Sequence, residues 1–204
     1  MKIRDAVFKV FPQAKLEHIT ALLDEGPKWG IDTDTELASW FAQLAHECVG
    51  FTHFEENLNY TNPGRLMQIF PRLFPTVDLA TPYVRNPVKL ANYIYGAHPK
   101  LGNRGRDTQD GWDYRGRGAT MLTGRANYTA AEADLSLPLV LYPDLALQPD
   151  ISATIAGWFW KTNGLDAFDD DTDTRAETRI INGGYLGALD RQHNLDALLA
   201  ALAL

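Results

Sequence analysis

A mainly α-helical fold is predicted by three observations. Leu37, Trp40, Phe41 and Leu44 recur at i, i+3, i+4 and i+7, the spacing that lines one face of a helix with apolar side chains. Ile155, Trp158 and Phe159 repeat the pattern in the second half of the chain. No segment carries the sustained apolar/polar alternation of a half-buried strand. With 204 residues, 45% of them hydrophobic, the chain can bury a substantial core as a single domain over 1–204, or as a domain with an inserted lobe.

The elements follow from their punctuation. Residues 5–26 read as a first helical segment that ends near Gly26 and Pro27, and a turn at Gly30 and Ile31 leads to a helix over 34–49 with Asp34 as its cap. Beyond an Asn/Tyr-rich loop, Pro63 stands near the start of a short helix over 64–70. Pro71, Pro75, Pro82 and Pro87 then cut the chain into short pieces, because proline lacks an N–H and cannot continue a helix. A helix over 90–95 ends at Gly96. The region of about 63–100 is expected to form a small helical lobe that walls one side of a cleft. Residues 102–111 form a polar loop with Arg104, Arg106, Asp107 and Asp110. Helices are expected over 151–162, where Ile155, Trp158 and Phe159 belong to the core, and over 174–182 behind a capped start. The apolar tail, 195–204, docks as a helix and is far too short to span a bilayer.

Charge is unevenly spread. Residues 65–125 hold ten Lys/Arg against four Asp/Glu, net +6, while the rest holds nine against twenty-two, net −13, giving −7 in all. The basic middle either attracts an anionic polymer or is a solvated face whose arginines pair internally. Nucleic acid is not expected, since the chain is acidic overall and carries no recognised nucleic-acid motif. The segment MKIRDAVFKVFPQAK has no long apolar run, so neither a signal peptide nor membrane insertion is expected. The single Cys48 excludes an intramolecular disulfide.

Two glutamates bracket an aromatic segment in AHECVGFTHFEENLNYT, residues 45–61. Cleaving a glycosidic bond requires a protonated acid at the leaving oxygen and an ionised base holding water on the other face of the sugar, so the two carboxyls must sit in different environments. Glu47 follows the Leu37 to Leu44 stripe, and packed apolar surface there would keep it protonated. Glu56 lies among Glu55, Asn57 and Asn59, where polar neighbours and water favour the ionised form. Cys48 reads as a small buried hydrophobe rather than a nucleophile. His46 and Glu47 lack the second histidine of a zinc-protease helix, position 50 being Gly. His46 is expected to orient loop backbone or Glu47 through a hydrogen bond, with plain packing the nearest competitor. Asp169, Asp171 and Asp173 have calcium-loop spacing, but Thr174 and Ile180 occupy the required Gly and Glu positions.

A second stretch, YRGRGATMLTGRANY over 114–128, places Gly116, Gly118 and Gly124 where backbone must turn sharply or approach another surface closely. A third, RIINGG, spans 179–184. Together with HE at 46–47 and ENLNYT at 56–61, in that order, these motifs resemble glycoside hydrolase family 19, and more narrowly its single-domain phage endolysins. The resemblance covers roughly residues 30–195.

That resemblance implies a lysozyme-like, two-lobed helical fold with a cleft between a large and a small lobe. It makes Glu47 the general acid and Glu56 the general base, and matches Thr123 to a Ser/Thr that positions the attacking water. Asn127 and Asn182 match asparagines lining the sugar cleft, Tyr60 belongs to the same substrate-binding set, and Arg191 matches an arginine supporting the carboxylates. Met121 stands where chitin-cleaving relatives carry a glutamine facing substrate, which weakens the case for plain chitin. The implied activity is inverting hydrolysis of β-1,4 bonds in peptidoglycan glycan strands, by a monomer, with no cofactor or metal. A chitinase and a non-catalytic wall-binding module are the alternatives. An endolysin of this kind is made in the bacterial host cytoplasm and reaches the wall through a separate membrane-permeabilising protein.

Overall fold

The computed structural model describes residues 2–168 and 174–203. Its described residues form eleven α-helices joined by turns and short 3-10 segments, with only isolated bridges of β character. Two compact units divide the chain: residues 1–54, 117–121 and 144–204 in the first, 55–116 and 122–143 in the second.

The first unit holds α1 (Lys2–Val10), α2 (Leu16–Glu25) and α3 (Asp34–Glu47). The single helix expected over 5–26 is therefore two. Pro12 breaks it, since it has no N–H for the ladder and its ring crowds the preceding turn. The cap of α3 is Thr33 rather than Asp34. Thr33 Oγ1 accepts from Glu36 N at 3.2 Å and the Glu36 carboxylate accepts from Thr33 N at 2.8 Å, a reciprocal box worth about 1 kcal/mol. The α3 stripe is buried as its spacing requires, with Trp40 and Phe41 fully covered, each contributing roughly 1.5–3 kcal/mol.

Three later helices complete this unit. Helix α9 (Pro149–Thr162) packs on α2 and buries Ile155 and Trp158, as the stripe predicts. Helix α10 (Arg175–Asn182) follows Thr174, whose hydroxyl turns to Gln192 instead of capping the helix. Asp169, Asp171 and Asp173, with their calcium-loop spacing, lie outside the described residues. Helix α11 (Ala188–Leu202) starts seven residues earlier than the expected tail helix and packs along both α3 and α1.

The second unit contains α4 (Pro63–Ile69), α5 (Val77–Ala80), α6 (Pro87–Tyr95), α7 (Asp110–Asp113) and α8 (Arg125–Leu135) around Leu58, Leu66, Phe74 and Leu90. Segment 63–100 lies within it. Helices α4 and α6 start on proline at the first turn, behind Asn62 and Asn86, whose side chains accept from Gly64 N and Lys89 N. Helix α8, which carries Asn127, has a thin stripe with only Tyr128 and Ala131 buried, and the sequence reading assigned no helix there. Among the described residues no helix is long and apolar enough to cross a membrane.

Candidate active site

Helix α3 delivers Glu47 in its last turn and then stops. Cys48 N still donates to Leu44 O at 3.0 Å, but Val49, Gly50 and Phe51 turn left-handed with φ of 52, 62 and 62°. A β-branched residue in that region is strained, and here the strain falls two residues after the carboxylate. Cys48 is buried, its thiol pushed up to about 12 by desolvation, and its Sγ donates to Leu44 O. It is no nucleophile.

Adjacent residues of α11 hold adjacent residues of α3. Arg191, 1% exposed, donates through Nη2 to Glu47 Oε1 and through Nη1 to Gln43 Oε1 at 2.8 Å. Asp190 Oδ2 lies 2.6 Å from His46 Nδ1. The carboxyl of Glu47 therefore meets a buried guanidinium in addition to the apolar surface expected beside it, where Leu44, Phe159, Trp160 and Ile181 line a small pocket. His46 is oriented by Asp190. The ring packs over Gly187, where an added Cβ would stand 2.4 Å from Nε2, so only glycine fits that approach. Asn182 is exposed at the end of α10. Met121, half-buried with φ of 49°, packs against the core of this unit.

In the second unit Glu56 is built into a hydrogen-bonded socket. Its N–H donates to Gly116 O at 2.9 Å, Gly116 N donates back to Oε2 at 3.3 Å, and the Tyr95 hydroxyl donates to Oε1. The sequence reading placed Glu56 in polar surroundings that favour ionisation. Instead it is half-buried, and desolvation raises its pKa above the ordinary carboxylate range, against the opposing effects of Tyr95, Gly116 and Arg115. The reason is tertiary, because α6 and the 114–116 backbone cover it.

Gly116 is the pivot of this socket. A Cβ there would lie 3.2 Å from Thr123 Oγ1 and 3.5 Å from Glu56 Oε2, so the hydroxyl and the carboxylate flank one bare Cα. Gly118 and Gly124 have φ of 74 and 91°, the sharp turns their spacing suggested. Asn127 Nδ2 donates to Thr123 O at 2.8 Å. Tyr60 joins Asn57, Asn59, Thr61, Asn62, Arg65 and Ile69 around a polar groove of about 450 Å³. Glu55 is turned away to an ion pair with Arg115, Nε to Oε1 at 3.0 Å, with its side chain 45% exposed.

Comparison with known proteins gives the family and the fold. No family model matches the chain. A glycosyl hydrolase family 19 domain-containing protein of Haemophilus influenzae is 37% identical over 192 residues, covering 94% of this chain and 92% of that protein. The chain belongs to glycoside hydrolase family 19. An endochitinase of Arabidopsis thaliana is 43% identical over 75 residues, which is 36% of this chain and 26% of that enzyme. The crystal structure of a bacterial family 19 chitinase superposes with a TM-score of 0.62 at 20% identity, covering 98% of this chain and 93% of that one. The fold is thus the mainly helical, lysozyme-like fold of family 19, and the chain is a glycoside hydrolase that cleaves glycosidic bonds.

The sequence motifs named Glu47, Glu56, Thr123, Asn127 and Arg191 but missed their partners. Tyr95, Gln43 and Asp190 carry no local signal, since each becomes significant only through what it touches.

Among the described residues no cluster of three or more His, Cys, Asp or Glu could hold a metal ion. Glu47, Glu56, Thr123, Asn127 and Arg191 offer carboxyl, hydroxyl, amide and guanidinium groups.

Proposed function

We propose that this family 19 enzyme hydrolyses β-1,4 bonds of bacterial peptidoglycan with inversion. The observation that carries the reading is the separate support of two carboxylates: Glu47 on the Arg191 guanidinium, and Glu56 in the socket of Tyr95 and Gly116. Glu47 serves as general acid to the leaving oxygen. Glu56 serves as general base, and a raised pKa suits that role because proton transfer is most effective when the base is poised near the working pH. Thr123, beside Gly116, positions the attacking water, while Asn127, Asn182 and Tyr60 bind the glycan. The enzyme works as a monomer without cofactor or metal.

The choice of polymer rests on charge. Arg85, Lys89 and Arg106 are exposed on the second unit, and peptidoglycan carries peptide carboxylates whereas chitin is neutral. Met121, packed against the core, offers no glutamine-like hydrogen bond to N-acetylglucosamine. Chitin hydrolysis is the second reading, favoured by the relatives and structural neighbours named as chitinases. An endolysin role, with synthesis in a host cytoplasm and release through a separate permeabilising protein, follows from the first.

Digestion of purified sacculi and of chitin side by side tests the substrate. Release of disaccharide-peptides from sacculi at a rate well above chitin turnover is expected, with the α-anomer first by proton NMR. Faster turnover of chitin would reverse the assignment, and a β-anomer first would refute inversion.

A further inference from the structure

Glu177 is a buried carboxylate to which the proposed chemistry gives no part. It is 1% exposed on α10 and accepts hydrogen bonds from Ser39 Oγ at 2.6 Å and from Gln43 Nε2 at 2.6 Å. Gln43 Nε2 also donates to Thr174 O at 3.4 Å, and an ionised carboxylate and a backbone carbonyl can only accept, so Glu177, with the shorter bond, and Thr174 O together set which way the Gln43 amide faces. With the NH2 group committed to Glu177, the Gln43 carbonyl must point to the other side. There it accepts from Arg191 Nη1 at 2.8 Å, and Arg191 Nη2 donates to Glu47. Ser39, Gln43 and Glu47 are spaced i, i+4, i+8 on α3, so a single helical face carries the whole chain of contacts.

Arg191 depends on this chain because its Nε has no hydrogen-bond partner among the described residues. Its terminal nitrogens hold the buried guanidinium, Nη1 on Gln43 Oε1 and, at 3.2 Å, on the Gln43 backbone O, and Nη2 on Glu47. A reversed Gln43 amide would present NH2 to the guanidinium, donor against donor, and would leave Nη1 only the Gln43 backbone carbonyl, loosening its hold on Arg191.

We propose that Glu177 and Gln43 are positioning residues for the reaction: they fix the polarity of a buried relay that holds Arg191, and through it the Glu47 carboxylate, in one orientation. The same relay ties that orientation to α10, the helix that ends in Asn182. The proposal rests on Glu47 being the general acid.

A donor–acceptor swap tests it. In E177Q the buried acceptor becomes an amide, leaving only the longer bond to Thr174 O to commit Gln43. In Q43E two carboxylates face each other. In the double variant E177Q/Q43E the amide at 177 donates to the carboxylate at 43, which still accepts from Arg191, so the bonds from 177 through 43 to Arg191 are restored with the charge moved from 177 to 43, and only the longer bond to Thr174 O is given up. Each single variant should lose about 10-fold in kcat with KM changed by less than about 2-fold, the size of effect that sub-ångström misplacement of a reacting group produces. The double variant should return to within about 3-fold of the parent. Parental kcat in the single variants, or a double variant no better than the worse single one, overturns the relay. If neither single variant folds, the kcat of the double variant decides alone. E47Q, assayed in parallel, separates the two levels. An active E47Q overturns the acid assignment and the relay with it, while an inactive E47Q beside fully active E177Q and Q43E overturns only the relay.

Discussion

The Tyr95 hydroxyl donates a hydrogen bond to Glu56 Oε1, joining a half-buried phenol at the end of α6 to a half-buried carboxylate 39 residues away. Burial and the neighbouring negative charge push the Tyr95 pKa well up, so it remains a donor at any working pH. Its bond favours the ionised form of Glu56 and opposes the effect of desolvation. As the proposed base Glu56 must be ionised, so activity should fall as pH drops through its pKa. Tyr95→Phe removes one of the lowering influences, raises that pKa further, and should move the acidic limb of the kcat/KM profile to higher pH. An unmoved acidic limb would show that this limb does not report Glu56.

The adjacent acids should separate sharply. Glu56→Gln is expected to lower kcat by about 10² to 10⁴-fold, the usual worth of a general base, with the fold intact by circular dichroism. Glu55→Gln loses only the partly exposed pair with Arg115 and should retain most activity. The opposite ranking would transfer the base role to Glu55.

Thr123 offers a test of hydroxyl against methyl. Thr123→Ser keeps the oxygen beside Gly116 and should stay within a few-fold of the parent, whereas Thr123→Val should lose about 10² to 10³-fold in kcat if water is positioned there in the transition state. Equal losses for both would assign Thr123 to packing.

The basic middle divides into two sets. Arg104 and Arg125 are spent on buried Asp110, Arg115 on Glu55 and Arg117 on Asp144. The others, Arg65, Arg72, Arg85, Lys89, Lys100 and Arg106, are exposed, with Lys89 and Arg106 lying over the rings of Tyr83 and Tyr93. Only the second set can serve attraction to an anionic wall. Binding to purified sacculi should weaken as salt approaches physiological strength, where screening acts within about 8 Å, and Arg85→Glu with Lys89→Glu should mimic high salt. Salt-insensitive binding would leave these residues as ordinary surface.

The turn after Glu47 is predicted to carry removable strain. Val49 is exposed with φ of 52°, so Val49→Asn, a residue that tolerates left-handed backbone, should stabilise the protein by about 1 kcal/mol and raise Tm by roughly 2–4 °C. A lower Tm would mean that the valine side chain contributes more than its conformation costs.

What the sequence determined by itself is local or periodic. The stripe from Leu37 to Leu44 required a buried helix ending near Glu47, the prolines and glycines marked most of its breaks, and the ordered motifs identified the family. Periodicity records which face of an element is buried, and that information survives in one dimension. It also has limits: the missed break at Pro12 and the missed helix α8 both come from segments where apolar spacing misled or was thin.

Only tertiary structure decided the environments of the two carboxylates. Glu47, read as lying on apolar surface, meets Arg191 from 144 residues away, and Glu56, read as solvated, is covered by Tyr95 and Gly116 from 39 and 60 residues away. Desolvation and charge depend on distance in space and fall off within a few ångströms, whereas neighbours along the chain report only what lies beside a residue in sequence. The chemistry of a carboxyl group is set by the former.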